Sequence, residues 1–386
     1  MTTDRVEHKL FPSLELSVAA KADLQALVLS FVNEHLPHFT EYTADQSRRV
    51  NSSRWKLLKT RDAVRVYAER PTRHSTPNSV LDADISEPQL PVLLCEGAIP
   101  GKLEDVMFGV MSPTLELIRV NSTYVDGVSN AAVLSSIVEP TADEPLQSLV
   151  LKWTQIQLPL HSTTWVKNRD FVYMEATGLF VLEDGQRIGY NVLHSIDVAE
   201  VPRLPNRVRG RCHVCAFYRQ DHDLSVETYA TSINDPGGSV LTSLMLQPLS
   251  SLLLSCTQLA HCGEMKKLAW IMRLRNEQKG RRGVRRDDDK CVSCAQPVGH
   301  SRMGQLSSTR GSCKLCFHAV CRSCRVRKRL TFLQPDFKLD KRKVTFCSGC
   351  IKAALETSAL QVAREQLLAH AVPDRRSYSF TSSSDE

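Results

Sequence analysis

The spacing of apolar and polar positions splits the chain into a long mixed region and a shorter polar one. SVAAKADLQALVLSFVNEHL repeats apolar residues at helical intervals and predicts an opening helix. RWKLLKTRDAVRVYAER alternates on both sides of a charged turn, as two paired strands would. PVLLCEGAIPGKLEDVMFGVMS reads as a strand and then a short helix entered through Pro100 and Gly101. FVYMEATGLFVLEDGQRIGYNVLHSID holds two β-rich runs parted by Asp184-Gly185, a hairpin signal. CHVCAFYRQDHDLSVETYATSIND repeats that scheme with a polar turn at Asp221 to Asp223. GSVLTSLMLQPLSSLLLSCTQLAHCGEMKKLAWIMRLRNEQ predicts one long, mostly apolar helix bent at Pro248. Antiparallel strands followed by such a helix imply an α+β domain over residues 20–275, a curved sheet gripping its C-terminal helix.

The flanks are simpler. Residues 1–19 form a charged tail without the apolar core of a signal peptide. NEQKGRRGVRRDDDK leads through a polar linker, 276–290, to a cysteine-rich segment at 291–352. A helical segment at 353–372 and a Ser-rich end at 373–386, disordered by composition, complete the chain. The most apolar window, LMLQPLSSLLLSC, is broken by Pro248 and serines, short of the roughly 18 apolar residues of a membrane span. A reducing, cytoplasmic location is expected.

Charge sharpens the division. The net charge is +7, yet Glu264 to Cys350 alone holds 22 Lys/Arg against 7 Asp/Glu. That segment is a basic module seeking phosphate, and the remainder is mildly acidic.

Thirteen cysteines, an odd number, argue against a complete disulfide framework. Eight of them form four C-x-x-C pairs: Cys291/Cys294, Cys313/Cys316, Cys321/Cys324 and Cys347/Cys350. Two intervening residues let both sulfurs of a pair reach one tetrahedral zinc at about 2.3 Å. Eight thiolates therefore predict two closed sites and two Zn2+ ions, with no open position for catalysis. Spacing alone leaves the pairing open, since consecutive pairs would also fit a zinc ribbon. Cys212 and Cys215 sit in an alternating run, so their sulfurs diverge and are expected in the core rather than on metal. Cys95, Cys256 and Cys262 read as small buried apolar residues.

The four pairs, with only four residues between the second and third, resemble a FYVE-type zinc finger. That resemblance implies crossed sites: Cys291, Cys294, Cys321 and Cys324 on one zinc, and Cys313, Cys316, Cys347 and Cys350 on the other. It also implies a phosphoinositide contact by the basic run TRGSCK, through Arg310 and Lys314, and a membrane-dipping loop with Met303 and Leu306. The chain departs from the family's headgroup motif. RRGVRRDDDK lacks a tryptophan, TRGSCK lacks the histidines, and Thr345 stands where arginine is expected. The runs RRGVRR, RVRKR and DKRKV still supply non-specific attraction to an anionic leaflet.

VKNRDFVYME, HSIDVAEVP, VRGRC and TSINDPGGSVLTSL, in that order, resemble the second half of a START domain. The landmarks are Arg169-Asp170-Phe171, Ser195, Pro202, Arg209-Gly210 and Asp235-Pro236-Gly237-Gly238. The resemblance implies an apolar cavity for one lipid, with Leu241 to Ala260 as its lid and Trp153, Trp165, Met174 and Tyr190 as candidate wall residues. Arg169-Asp170 is expected to be a structural ion pair or turn anchor. No paired carboxylates, G-x-S-x-G or phosphate-binding glycine loop is present, so no enzyme is expected.

These features together imply a lipid-binding or lipid-transfer protein whose finger rests on phosphoinositide-bearing endosomal membranes. The alternative is an adaptor in which the divergent finger contacts proteins and the START-like domain is a scaffold. The basic runs lack a groove-reading helix, which argues against a nucleic-acid partner.

Overall fold

The computed structural model describes residues 11–44, 50–70, 90–128, 130–156, 167–238, 242–282, 289–298, 311–334 and 336–371. Helix α1 (Val18–Ala44) is followed by the hairpin β1 (Trp55–Arg61) and β2 (Val64–Glu69), whose turn places Asp62 at φ 52°. Then come β3 (Val92–Pro100), α2 (Leu103–Val110), α3 (Leu115–Asn121), β4 (Asn130–Val138) and β5 (Ser148–Ile156). Thr114 caps α3, its hydroxyl accepting from the Leu117 amide. β6 (Asn168–Val181) and β7 (Arg187–Ser195) form the hairpin signalled by Asp184-Gly185, with Gly185 at φ 82°. A short β8 (Arg207–Arg209) precedes β9 (Arg211–His222) and β10 (Ser225–Asp235).

These strands make one ten-stranded sheet in the order β1-β2-β3-β10-β9-β7-β6-β5-β4, antiparallel throughout except where β8 runs parallel to β6. α1 covers one face. Val28, Val32 and Phe39 pack there on Trp153, Val172, Met174 and Phe217. The other face receives α4 (Thr242–Leu253), a 3-10 turn over Leu254–Gln258 and α5 (Leu259–Arg282). The predicted long helix is thus interrupted at Leu254–Gln258, and Pro248 lies within α4. α5 runs without a break through position 275 to Arg282. Among the described residues no helix is long and apolar enough to cross a membrane.

The START-like landmarks meet in one corner. Arg169 is buried and donates to the carbonyls of Lys167, Pro236 and Gly237. Asp170 accepts from Arg209 Nε at 3.0 Å and from Trp153 Nε1 at 2.8 Å. Arg169 and Asp170 therefore do not pair with each other: Arg169 anchors the turn at Pro236 and Gly237, and Asp170 ties β8 and β5 to β6. Gly237, at φ 63°, needs its missing side chain, because a Cβ there would stand 2.6 Å from the Arg209 carbonyl oxygen.

The cysteine-rich segment contains the short strands β11 (Gly311–Ser312) and β12 (Ala319–Val320), and the hairpin β13 (Arg325–Leu333) with β14 (Leu339–Cys347). Two helices, α6 (Ser348–Glu356) and α7 (Ala359–Ala371), replace the single helical segment expected. The break falls where Ser358 caps α7, its hydroxyl accepting from the Gln361 amide. This module docks on the first domain: Met265, Leu268 and Met272 of α5 share an apolar cluster with Cys313, Leu315, Val320, Leu330 and Phe346.

Candidate functional site

Alternation along the strands decides what lines the space between the sheet and α4. Successive side chains point to opposite faces. Lys152 and Thr154 of β5, Tyr173 and Glu175 of β6, Asn191 and Leu193 of β7, and Cys212, Val214, Ala216 and Tyr218 of β9 all face a cavity of about 260 Å³. Leu249, Leu252 and Leu253 of α4, with Ser255, Cys256 and Leu259, roof it. The volume lies just below the roughly 300–1,000 Å³ range of ligand pockets and admits one small amphiphile or acyl chain.

Residues of opposite parity cannot reach this cavity. Trp153 and Met174 are fully buried on the α1 face, and Tyr190 packs against the same cluster. Their expected role as cavity wall is corrected: each lies one residue out of phase with the cavity-facing row. Trp165 lies outside the described residues. Cys215 follows Trp153 to the α1 face while Cys212 lines the cavity, the divergence expected of that C-x-x-C. Leu249 to Leu259 roof the cavity inside the span expected for the lid, as a helix and a 3-10 turn.

The cavity has a polar focus that sequence reasoning missed. Lys152, 2% exposed, forms an ion pair with Glu175, and its ammonium also donates to Ser112 Oγ at 3.0 Å. Asn191 Nδ2 lies 3.5 Å from the other Glu175 oxygen. Tyr173 hydrogen-bonds Thr154, and burial pushes its hydroxyl pKa well above the ordinary value. A charged pair costs several kcal/mol per ion to bury and is kept only with further hydrogen bonds. The signal available in the sequence was the shared parity of Lys152 with Thr154 and of Tyr173 with Glu175 on neighbouring strands.

The roof is tied down at its 3-10 turn. Gln258 accepts from the Asp126 amide at 2.9 Å and donates to the Asp126 carboxylate at 3.0 Å, fastening the α3–β4 loop.

The eight paired cysteines gather in two tetrads, Cys291/Cys294/Cys321/Cys324 and Cys313/Cys316/Cys347/Cys350, the sulfurs of each within 4.8 Å of one another. Cys294 and Cys321 sulfurs are 3.8 Å apart, and those of Cys316 and Cys347 are 3.9 Å apart. A tetrahedron with arms of 2.3 Å has edges of about 3.8 Å, so both spacings fit zinc. The first two pairs sit in tight turns: Ala295 donates to the Cys291 carbonyl and Phe317 to the Cys313 carbonyl, each at 2.8 Å with positive φ. Amides also donate to sulfur, from Cys321 to Cys291 and from Cys350 to Cys347, both at 3.4 Å. The Cys316 thiol, with the amides of Cys316, Cys347 and Leu315, draws the Cys313 pKa down to about 4 against its burial. Soft thiolates in closed tetrads suit a structural ion and leave no coordination position for chemistry.

Of the expected phosphoinositide contacts, Lys314 is exposed, with its amide donating to the Thr345 carbonyl at 3.0 Å. Arg310, like Met303 and Leu306 of the expected dipping loop, lies outside the described residues.

No family model and no curated protein matches the chain. Among solved structures, it is similar to human StAR-related lipid transfer protein 5 at 16% identity and TM-score 0.40, over 62% of this chain and 98% of that one. It is also similar to a STAR-related lipid transfer protein from Xanthomonas axonopodis (17% identity, TM-score 0.36, 54% of this chain and 98% of that one). Human STARD10 gives 14% identity and TM-score 0.36, over 56% of this chain and 78% of that one.

Proposed function

We propose that the chain is a non-enzymatic lipid carrier, holding one lipid between sheet and roof while its two-zinc finger associates with phosphoinositide-containing endosomal membranes from the cytoplasmic side. The observation that carries this reading is the cavity itself. Aliphatic roof residues stand opposite a sheet floor whose charged focus is the Lys152–Glu175 pair, with Asn191 beside it. An amphiphile has that same division, an apolar body and one polar end. The cluster offers both a cationic donor and carboxylate and amide acceptors, so a headgroup with hydroxyl or phosphate oxygens can exchange for part of its internal bonding. The START-like motifs and the basic finger support the same reading.

The two zinc ions, held by the tetrads above, would supply folding free energy to a small module, roughly 10–16 kcal/mol per structural site. Their place in the carrier is to hold the finger's shape.

Native mass spectrometry of cell-purified protein tests the proposal. One co-purifying lipid per chain is expected, with a shifted lipid profile in Glu175→Gln. Empty cavities in every preparation would sink it. They would favour the adaptor reading, which the loss of headgroup residues, such as Thr345 in place of arginine, already supports.

A further inference from the structure

The basic runs RVRKR and DKRKV are separate in sequence, but β13 and β14 pair them antiparallel. The register sets Arg327 opposite Thr345, Arg329 opposite Lys343 and Thr331 opposite Lys341. Directly opposite residues share a face, so Arg327, Arg329, Lys341 and Lys343 point the same way, and all four are exposed. The other face cannot turn outward, because Leu330, Val344 and Phe346 are buried against α5. Like charges placed opposite each other on a strand pair are destabilising. Arg329 and Lys343 keep that arrangement, and neither they nor Arg327 and Lys341 have a carboxylate partner among the described residues. Lys314, bonded through its amide to Thr345, extends the row at the cysteine end. The ribbon lacks only a polyanion to relieve it.

We infer that this ribbon face is the docking surface for an anionic lipid bilayer, and that it, rather than a single headgroup pocket, orients the finger. The choice of a bilayer rests on the carrier reading above: the cavity is rigidly joined to the ribbon through α5 and works only beside a membrane. Duplex nucleic acid would meet the same charges and is included in the test.

The experiment uses the full chain with four changes, Arg327→Gln, Arg329→Gln, Lys341→Gln and Lys343→Gln. An equal-charge control carries Lys56→Gln, Arg203→Gln, Arg275→Gln and Lys352→Gln, all exposed and off the ribbon. The control should keep the wild-type thermal midpoint, and the ribbon variant should match or exceed it, because its opposed like charges are gone. Co-sedimentation is measured with phosphatidylcholine vesicles, with vesicles also containing phosphatidylserine, and with a 20-base-pair duplex. The ribbon variant should bind phosphatidylserine vesicles roughly 600-fold more weakly than wild type, the control within about threefold, since each of the four surface cations contributes about a factor of five. Equal weakening of both variants, or none in the ribbon variant, overturns the inference, as does wild-type preference for the duplex over anionic vesicles. Lipid occupancy by native mass spectrometry should be unchanged in both variants. An empty cavity beside intact, ribbon-dependent vesicle binding would defeat the carrier reading alone.

Discussion

His213 stands between two other imidazoles, its Nδ1 3.0 Å from Nδ1 of His194 and its Nε2 3.3 Å from Nε2 of His35. Phe31 of α1 packs on His194 and His213 with ring centroids 4.5 Å away, so the trio forms part of the seam between α1 and the sheet. Burial, then the neighbouring His194 and His35, lowers His213 from 6.5 to about 4. Burial, then Arg211, also lowers His194, and burial lowers His35 with Glu34 partly offsetting it. His213 is therefore neutral in the fold at pH 7, and its two neighbours are biased the same way. A depressed histidine contributes its full stability above the free value near 6.5, and that contribution is lost as pH falls toward 4. Hydrogen exchange across this range should show α1 amides losing protection first. In His213→Asn, which has no proton to gain there, the pH dependence should be flatter.

Among the elements, α2 and α5 cross with their backbones in close contact. A Cβ on Gly263 would stand 2.0 Å from the Asp105 carbonyl oxygen, and one on Gly109 would stand 2.0 Å from that of Leu259. Backbone cannot yield as a side chain can. Gly263→Ala should therefore destabilise by about 3 kcal/mol, the upper range for overpacking, despite the roughly 1 kcal/mol helix preference of Ala. Chemical denaturation checks this; an unchanged midpoint would refute the close crossing. Such contacts are invisible in sequence, where Gly109 and Gly263 are merely glycines within helical runs. The hairpins, by contrast, were legible, because Asp184-Gly185 and the turn at Asp221 to Asp223 interrupt clear alternation. The phase of that alternation was not. β5 is buried on both faces from Ser148 to Gln155. Hydrophobicity there could not say whether Trp153 or Lys152 looks into the cavity, and favouring aromatic residues selected the wrong row. The cysteine pairs were legible because C-x-x-C spacing carries its own geometry, whereas which pairs share a tetrad came only from the FYVE-type resemblance. The ribbon face required the register of β13 against β14.

At the scale of the whole molecule, α5 belongs to both parts. Leu259 roofs the cavity, while Met265, Leu268 and Met272 fill the finger's core. Lys267 Nζ lies 2.7 Å from Asp105 of α2 and donates to the carbonyls of Leu355 and Thr357 at 3.1 and 2.9 Å. Burial lifts Asp105 to about 6 even so. Tyr124 accepts from the Thr331 amide at 2.7 Å, a second bond between the parts. Stripping metal with a chelator should thus do more than unfold residues 291–356. Hydrogen exchange by mass spectrometry should show α5 opening from about Met265 onward, and calorimetry should show a single transition with metal present. Protection of α5 untouched by chelation would mean the finger contributes nothing to it.

The continuous α5 also fixes a heading. A tether would let the finger swivel and present the pouch to a surface at any angle. A shared axle does not, so wherever the ribbon lands, the cavity's roof comes to rest at one height and one bearing. Cargo exchange would then depend less on how often the molecule touches down than on whether that single pose brings the roof within reach of a lipid.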